Sequence, residues 1–330
     1  MLNPEFTIVI PTFNGEAYIA QAIESVLNQI YPHFEIIVLE HESTDRTLEI
    51  IHSYNDPRIR ICSTTEHHTI ETNWGRILDL ELAEYLTILG HDDILKPEFL
   101  QEIVTLITAN PQASLYQVQL EEITPDGTSI RNFPKVAPHE TADEFLHAAL
   151  EDCEDVVATG YVMRSEDYRR VGGIPPFPGL LYADAVLWYR IAKQSYKVCS
   201  PKILASFRIH PQSMHLKANF LRYYLATRQF YEFLLTEVFK DNPKTAYAYA
   251  DRLLQNSYRT AVGQALHSPD KGLPELQKTK RQIAEDGIFT LHDPVARIYE
   301  IFIAMPSWLR RIVLLPIAWR RVLRRFLANR

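Results

Sequence analysis

Residues 6–27 read FTIVIPTFNGEAYIAQAIESVL, and the period of their apolar positions changes once along the way. Phe6-Thr7-Ile8-Val9-Ile10 is a short β-branched run closed by Pro11, which cannot donate to a sheet ladder. After Thr12-Phe13-Asn14-Gly15, the apolar residues Ile19, Ala22, Ile23, Val26 and Leu27 recur at helical spacing. Strand, loop and helix follow one another, and the unit repeats. Phe34 to Leu39 reads as a second strand, Glu40 to Ser43 as a loop, and Thr44 to Ile51 as a helix whose start is supplied with capping side chains. A third short strand, Ile59 to Cys62, and a helix around residues 72–83 lead to a fourth strand, Tyr85 to Leu89. Alternating βα units of this length predict an α/β fold with a mostly parallel, doubly wound sheet.

The chain has 330 residues, 46% apolar and 23% charged, so it can bury a large core, and neither disorder nor a solenoid repeat is indicated. Cys62, Cys153 and Cys199 lie far apart without C-x-x-C spacing, which suggests neither a zinc site nor a disulfide framework and fits a reducing compartment. The N-terminal MLNPEFTIVIP lacks the basic and apolar regions of a secretory signal, so a cytoplasmic location is expected. The net charge of -7 hides an asymmetry: residues 301–330 hold seven arginines and no acid, leaving -14 on everything before them. An acidic body argues against nucleic acid as the partner.

In doubly wound sheets, ligands collect beyond the carboxyl ends of the strands. The loops Pro11 to Glu16, Glu40 to Asp45 and Gly90 to Asp93 all fall there and should converge on one cleft. Gly90-His91-Asp92-Asp93 reads either as a charged turn leading to a helix or as a place where a carboxylate holds a metal ion. From about residue 111 the pattern turns to shorter β-like runs and Pro- and Gly-containing loops, and after His215 it is almost entirely helical.

Taken in order, IVIPTFNGEAYIAQAIESVLNQ, FEIIVLEHESTDRTLEII, NWGRILDLELAEYLTILGHDDILKPEFL, DAVLWYRIAK and FRIHPQSM resemble family 2 of the inverting glycosyltransferases, over about residues 4–215. The resemblance implies a GT-A fold and transfer of a sugar from a nucleotide-diphosphate sugar, most simply a UDP-sugar, by single displacement. It also implies a divalent cofactor, Mg²⁺ or Mn²⁺, bridging the donor diphosphate, and a glycan or lipid-linked acceptor of polysaccharide biosynthesis. Pro11, Thr12, Asn14 and Glu16 match the first nucleotide-contacting loop. Glu40 and His41 match the base-binding loop, although His41 stands where the family usually has an Asp. Arg76, in Asn73-Trp74-Gly75-Arg76, is expected at phosphate or ribose oxygens, or else as a solvated helix arginine.

Asp92 matches the last Asp of the family's D-x-D motif and is assigned to nucleotide-sugar and metal, with Gly90 replacing the first Asp and Asp93 read as a turn residue. His210, in Arg208-Ile209-His210-Pro211, is the expected second metal ligand. Asp184 is the expected catalytic base, with Ala183 replacing the Glu that usually precedes it. Gly160, Arg164 and Trp188 are expected on the acceptor side. The Gly90 and Ala183 departures leave an alternative, a catalytically silent nucleotide-sugar-binding or scaffold protein.

The expected segments are 1–215 for the transferase domain, 216–296 for a helical extension, and 297–330 for basic amphipathic helices. In the last of these, Arg320, Arg321, Arg324 and Arg325 fall on one half of a helical wheel, and Leu315, Trp319, Val322, Leu323 and Phe326 on the other. With no apolar run of ~18 residues, such helices suit an anionic membrane surface on the cytoplasmic side. They also suit packing on the body or on another subunit of a homo-oligomer.

Overall fold

The computed structural model describes residues 5–211, 219–267 and 269–304. Its sheet is built of strands β1 (Phe6–Thr12), β2 (Phe34–Glu40), β3 (Ile59–Ile61), β4 (Tyr85–Ile88), β5 (Ile94–Leu95), β6 (Leu115–Ile123), β7 (Ser129–Asn132), β8 (His139–Glu140), β9 (Tyr161–Arg164) and β10 (Lys197–Arg208). The spatial order is β3-β2-β1-β4-β9-β6-β10-β5, with β7 beside β6 and β8 beside β10. β3, β2, β1 and β4 are mutually parallel, as the alternating units predict. Beyond β4 the sheet is mixed, because β9 runs antiparallel to both β4 and β6, while β6 and β10 are parallel to each other.

Every residue of β1 and β4 is buried, the mark of strands covered on both faces. Helix α1 (Ile19–Leu27) buries Ile19, Ala22, Ile23 and Val26, four of its five expected core positions. Helix α2 (Thr47–His52) begins where the Asp45 carboxylate accepts the Thr47 N–H at 3.0 Å. Helix α3 (Ile70–Gly75) starts at a Thr69/Thr72 capping box and tightens into a 3₁₀ turn over Arg76–Asp79, so it starts and ends earlier than the apolar pattern suggests. Helices α4 (Phe99–Ala109), α5 (Ala142–Leu150), α6 (Ser165–Arg170) and α7 (Ala183–Ala192) complete the α/β part.

Two compact units divide the chain. The first takes the residues up to 218 together with Glu232–Lys240, and the second takes Asn219–Tyr231 and the residues from 241 on. Residues 232–240 carry a π turn, Leu234–Val238, and Glu237 pairs with Arg190 of α7. The second unit is built from helices α8 (Phe220–Phe233), α9 (Pro243–His267), α10 (Pro269–Asp286) and α11 (Pro294–Ala304) around Tyr224, Leu254, Tyr258, Val262, Leu276 and Ile283. A Cβ on Gly272 of α10 would lie 2.7 Å from the Ala265 backbone of α9, so glycine permits this close helix crossing. The strongly basic stretch expected to be helical lies outside the described residues beyond Ala304. Among the described residues, no helix is long and apolar enough to cross a membrane.

Candidate active site

The parallel register sets Thr12 beside Glu40 and Val9 beside Ile88, so the three expected loops leave the sheet side by side. Hydrogen bonds then lace them together. Asn14 donates its N–H to Ser43 Oγ at 3.0 Å and accepts the Thr44 N–H on its own Oδ1 at 2.8 Å. Glu16 donates its N–H to Asp45 Oδ2 at 3.1 Å, and its Oε2 accepts the Arg46 N–H at 3.1 Å. Asn14 and Glu42 both sit at positive φ, 48° and 44°. Asn tolerates this conformation and Glu does so at a cost, a pattern that clusters at functional sites. The third loop joins through His91, whose Nδ1 is 3.4 Å from the Pro11 carbonyl oxygen; a Cβ on Gly15 would meet the same ring at 2.9 Å.

Between the first two loops lies an aromatic shelf. His41 stacks on Phe13 with ring centroids 4.8 Å apart and meets His68 edge-on at 6.1 Å. Phe13 is 47% exposed whereas His41 is only 5% exposed, and the Nδ1 of His41 has no hydrogen-bond partner. Burial lowers the His41 pKa, outweighing the Glu40 charge and a hydrogen bond to the Thr12 backbone, so the ring is neutral at physiological pH. Thr12 is buried, its hydroxyl donating to the Ile10 carbonyl, and the buried Glu40 accepts the Ser43 N–H at 2.8 Å. Arg76 donates to the backbone carbonyls of Glu40 and Cys62, both at 3.1 Å, and to Asn73 Oδ1 at 2.8 Å. Its fork is thereby committed to fastening the His41 loop from beneath.

The Gly90–Asp93 loop shifts its two carboxyl groups in opposite directions. Asp92 Oδ2 is 2.8 Å from His210 Nε2, which arrives just past the end of β10. Burial works to raise the Asp92 pKa, but the hydrogen bond to His210 and the nearby His91 and His210 rings outweigh it and hold the carboxyl below its ordinary value. Asp93 is buried, and both burial and the Asp92 charge push its pKa well above the ordinary range. It faces the Thr159 hydroxyl at 2.5 Å and accepts the Arg208 N–H at 2.9 Å. Asp93 closes the expected turn, its N–H donating to the Gly90 carbonyl at 3.0 Å, and its buried side chain cross-links β4, β9 and β10. Arg208, also buried, donates to the carbonyls of Asp92, Thr124 and Pro125 and lies 4.7 Å over the Tyr18 ring. A double Asp in a turn motif gives no hint of which member is pushed toward protonation; only the contacts distinguish them.

Asp184 is in the first turn of α7, partly exposed yet closely surrounded, and burial pushes its pKa up to about 7. Its Oδ1 accepts the Ala185 N–H at 2.9 Å. The chain enters this helix through three residues of positive φ, Gly179, Leu180 and Tyr182, two of them non-glycine. The turn is tied to α3 where Glu71 accepts the Gly179 N–H at 2.5 Å.

Two acceptor-side expectations are corrected. Trp188 is fully buried, stacked on Tyr161 at 4.6 Å with its indole N–H on the Val157 carbonyl, so it supports Asp184 from behind instead of facing a ligand. Arg164 pairs with Tyr85 at the opposite end of the sheet from the Asp92 loop and donates to the Ala113 and Pro111 carbonyls at 2.6 Å. An arginine beside a strand end looks the same in sequence whichever end of the sheet it reaches. Gly160 is at the cleft end of β9, next to Thr159, with φ 92°.

This geometry agrees with what the chain resembles. Residues 7–167 match the model of glycosyl transferase family 2. That segment of the chain carries the family's domain. An uncharacterised glycosyltransferase of Haemophilus influenzae is 27% identical over 226 residues, 63% of this chain and 66% of the relative. Staphylococcus aureus TarS, a poly(ribitol-phosphate) β-N-acetylglucosaminyltransferase, is 26% identical over 147 residues, 42% of this chain and 24% of its own. The crystal structure of TarS residues 1–349 with UDP-GlcNAc covers 91% of this chain and 89% of that one, with a TM-score of 0.63 and 16% identity. The mannosyltransferase PcManGT of Pyrobaculum calidifontis, in complex with GDP-Man and Mn²⁺, covers 92% of this chain and 85% of its own, with a TM-score of 0.55 and 17% identity. The chain spans two thirds or less of the length of the curated relatives it matches. Residues 7–167 thus form a family 2 glycosyltransferase domain, and the fold is GT-A.

Proposed function

We propose that this glycosyltransferase inverts the anomeric centre of a UDP-sugar in one displacement, with Asp184 as the base and a glycan or lipid-linked acceptor. The observation that carries the reading is Asp184 itself: a carboxyl held in the cleft with a pKa of about 7 can take the acceptor's proton near neutral pH. The proton passes to Asp184 as the acceptor oxygen attacks, and the nucleotide diphosphate leaves from the opposite face.

The donor set suits a divalent ion. Asp92 offers a carboxylate oxygen and His210 an imidazole nitrogen within 2.8 Å of each other, a pair that accepts Mg²⁺ or Mn²⁺. Among the described residues no group of three or more such side chains converges, so the remaining positions would fall to diphosphate oxygens and water. Bound there, the ion would offset the charge that develops on the leaving diphosphate. The protein's own part is to keep Asp92 ionised, His210 aligned and the loop cross-linked through Asp93.

Base reading falls to His41. With its other ring nitrogen engaged by the Thr12 backbone, the neutral ring keeps an unpartnered lone pair on a buried Nδ1, which a base N–H reaches only by displacing the atoms that cover it. Uracil has one ring N–H to meet it, and Phe13 stands ready to stack alongside. Nucleotide release measured across a donor panel, with and without Mn²⁺ and with the acceptor present, tests the whole reading. Metal-dependent turnover of a UDP-sugar that is lost in Asp184→Asn is the expected result. Tight donor binding without turnover would instead favour the silent scaffold that the Gly90 and Ala183 departures suggest.

A further inference from the structure

Helix α11 has two unlike faces. On one side Ala296 is fully buried, and Glu300 is engaged by Lys280 and by the Tyr258 hydroxyl, which lies 2.7 Å from Glu300 Oε2. On the other side Ile298 and Ile301 are 67% and 64% exposed, more than any other large apolar side chain among the described residues. Their spacing of three does not stop at the helix. In the sequence, apolar residues recur at alternating steps of four and three through Met305, Trp308, Ile312, Leu315, Trp319, Val322 and Phe326, in shorter pieces divided by Pro306 and Pro316. Six of the seven arginines of residues 301–330 fall between these positions and Arg330 follows the last, with no acid among them.

Such a stripe could meet a second copy of the chain or a bilayer, and the charges decide between them. A 3.5-residue repeat in a self-associating coil is normally flanked by charges of both signs, which pair across the seam. Here two copies would bring arginine against arginine, and Pro306 and Pro316 interrupt any long continuous helix. Anionic lipid satisfies both features, with arginine heads at phosphate level and isoleucine, leucine and tryptophan below it. We propose that the exposed Ile298/Ile301 face of α11 is the first part of a surface that seats this protein on an anionic bilayer, continued by the arginine-rich residues after it. The proposal is independent of Asp184 and of the sugar donor.

The test uses the full chain with vesicles of phosphatidylcholine alone or with about one third phosphatidylglycerol, at low and high salt. Binding to the mixed vesicles alone, weakened by salt, is expected. Ile298→Glu/Ile301→Glu should lower the partition about tenfold or more while leaving circular dichroism and metal-dependent nucleotide release unchanged. R320Q/R321Q/R324Q/R325Q should remove the preference for phosphatidylglycerol. Equal binding of the double glutamate variant, or no vesicle binding by the wild type, overturns the proposal. So does a dimer in sedimentation velocity that the glutamate pair dissociates without any effect on lipid.

Discussion

Asp184 and His41 show how far a single residue's chemistry is set by its surroundings. A folded-state pKa of about 7, above the ordinary carboxyl value, means the protein holds this proton as pH falls and must lose it to act as a base. The rate at saturating substrate should therefore rise with pH along a limb centred near 7, not near 4, in a pH profile taken with Mn²⁺ held constant. The same shift makes ionised Asp184 a burden on stability, present once pH rises through 7. Asp184→Asn should cut turnover by ~10³-fold yet raise stability at pH 8 by about 1–2 kcal/mol in urea melts. For His41 the sign is opposite. Only the neutral ring can accept from a base N–H, so UDP affinity should fall as pH drops through its lowered pKa. His41→Asp, which keeps an acceptor, should abolish that pH dependence in calorimetric titrations, whereas His41→Ala should weaken UDP by about tenfold. Both positions were legible as candidates from motif order. Their proton states were not, because burial is a property of what surrounds a residue and not of its neighbours in sequence.

At the scale of elements, the cleft depends on segments that carry no chemistry. Lys197 of β10 is fully buried, with Nζ 2.7 Å from Gln117 Oε1 and Glu140 Oε2 and 2.8 Å from Glu154 Oε1, over the Phe145 ring. It draws β6, β8 and the segment before β9 together, and that segment supplies the Val157 carbonyl that holds Trp188 behind Asp184. Lys197→Met would leave Glu140 and Glu154 buried without their cation, at a cost of about 3–5 kcal/mol at pH 7. Burial already raises the Glu154 pKa, so the loss should shrink as pH falls and the acids protonate, a trend that chemical melts at pH 5 and pH 8 would measure. The strands and helices of the first 90 residues were legible from their period. The antiparallel course of β9 was not, since Tyr161–Arg164 is a short apolar run that reads the same in either direction.

For the whole molecule, the proposed donor site belongs to one of two compact units, and the energetic consequences of filling it should be equally local. UDP with Mn²⁺ at 100 times its Kd should stabilise the first unit by about 2.7 kcal/mol. In hydrogen exchange, that protection should appear at residues 12–16, 40–46 and 90–93 and leave α9 and α10 unchanged; protection spread evenly over α9 and α10 would contradict it. By itself the sequence determined the βα alternation, the family resemblance and the three loops that meet at the strand ends, and it singled out Asp92, His210 and Asp184 as candidates, because these follow from local period and motif order. Only the tertiary structure decided that the pKa values of Asp92 and Asp93 shift in opposite directions, that Arg76 clamps a loop, that Trp188 is buried and that Arg164 lies at the far end of the sheet. Those outcomes depend on residues tens of positions apart being brought within about 3 Å, where burial and hydrogen bonding, not residue type, set what a side chain can do.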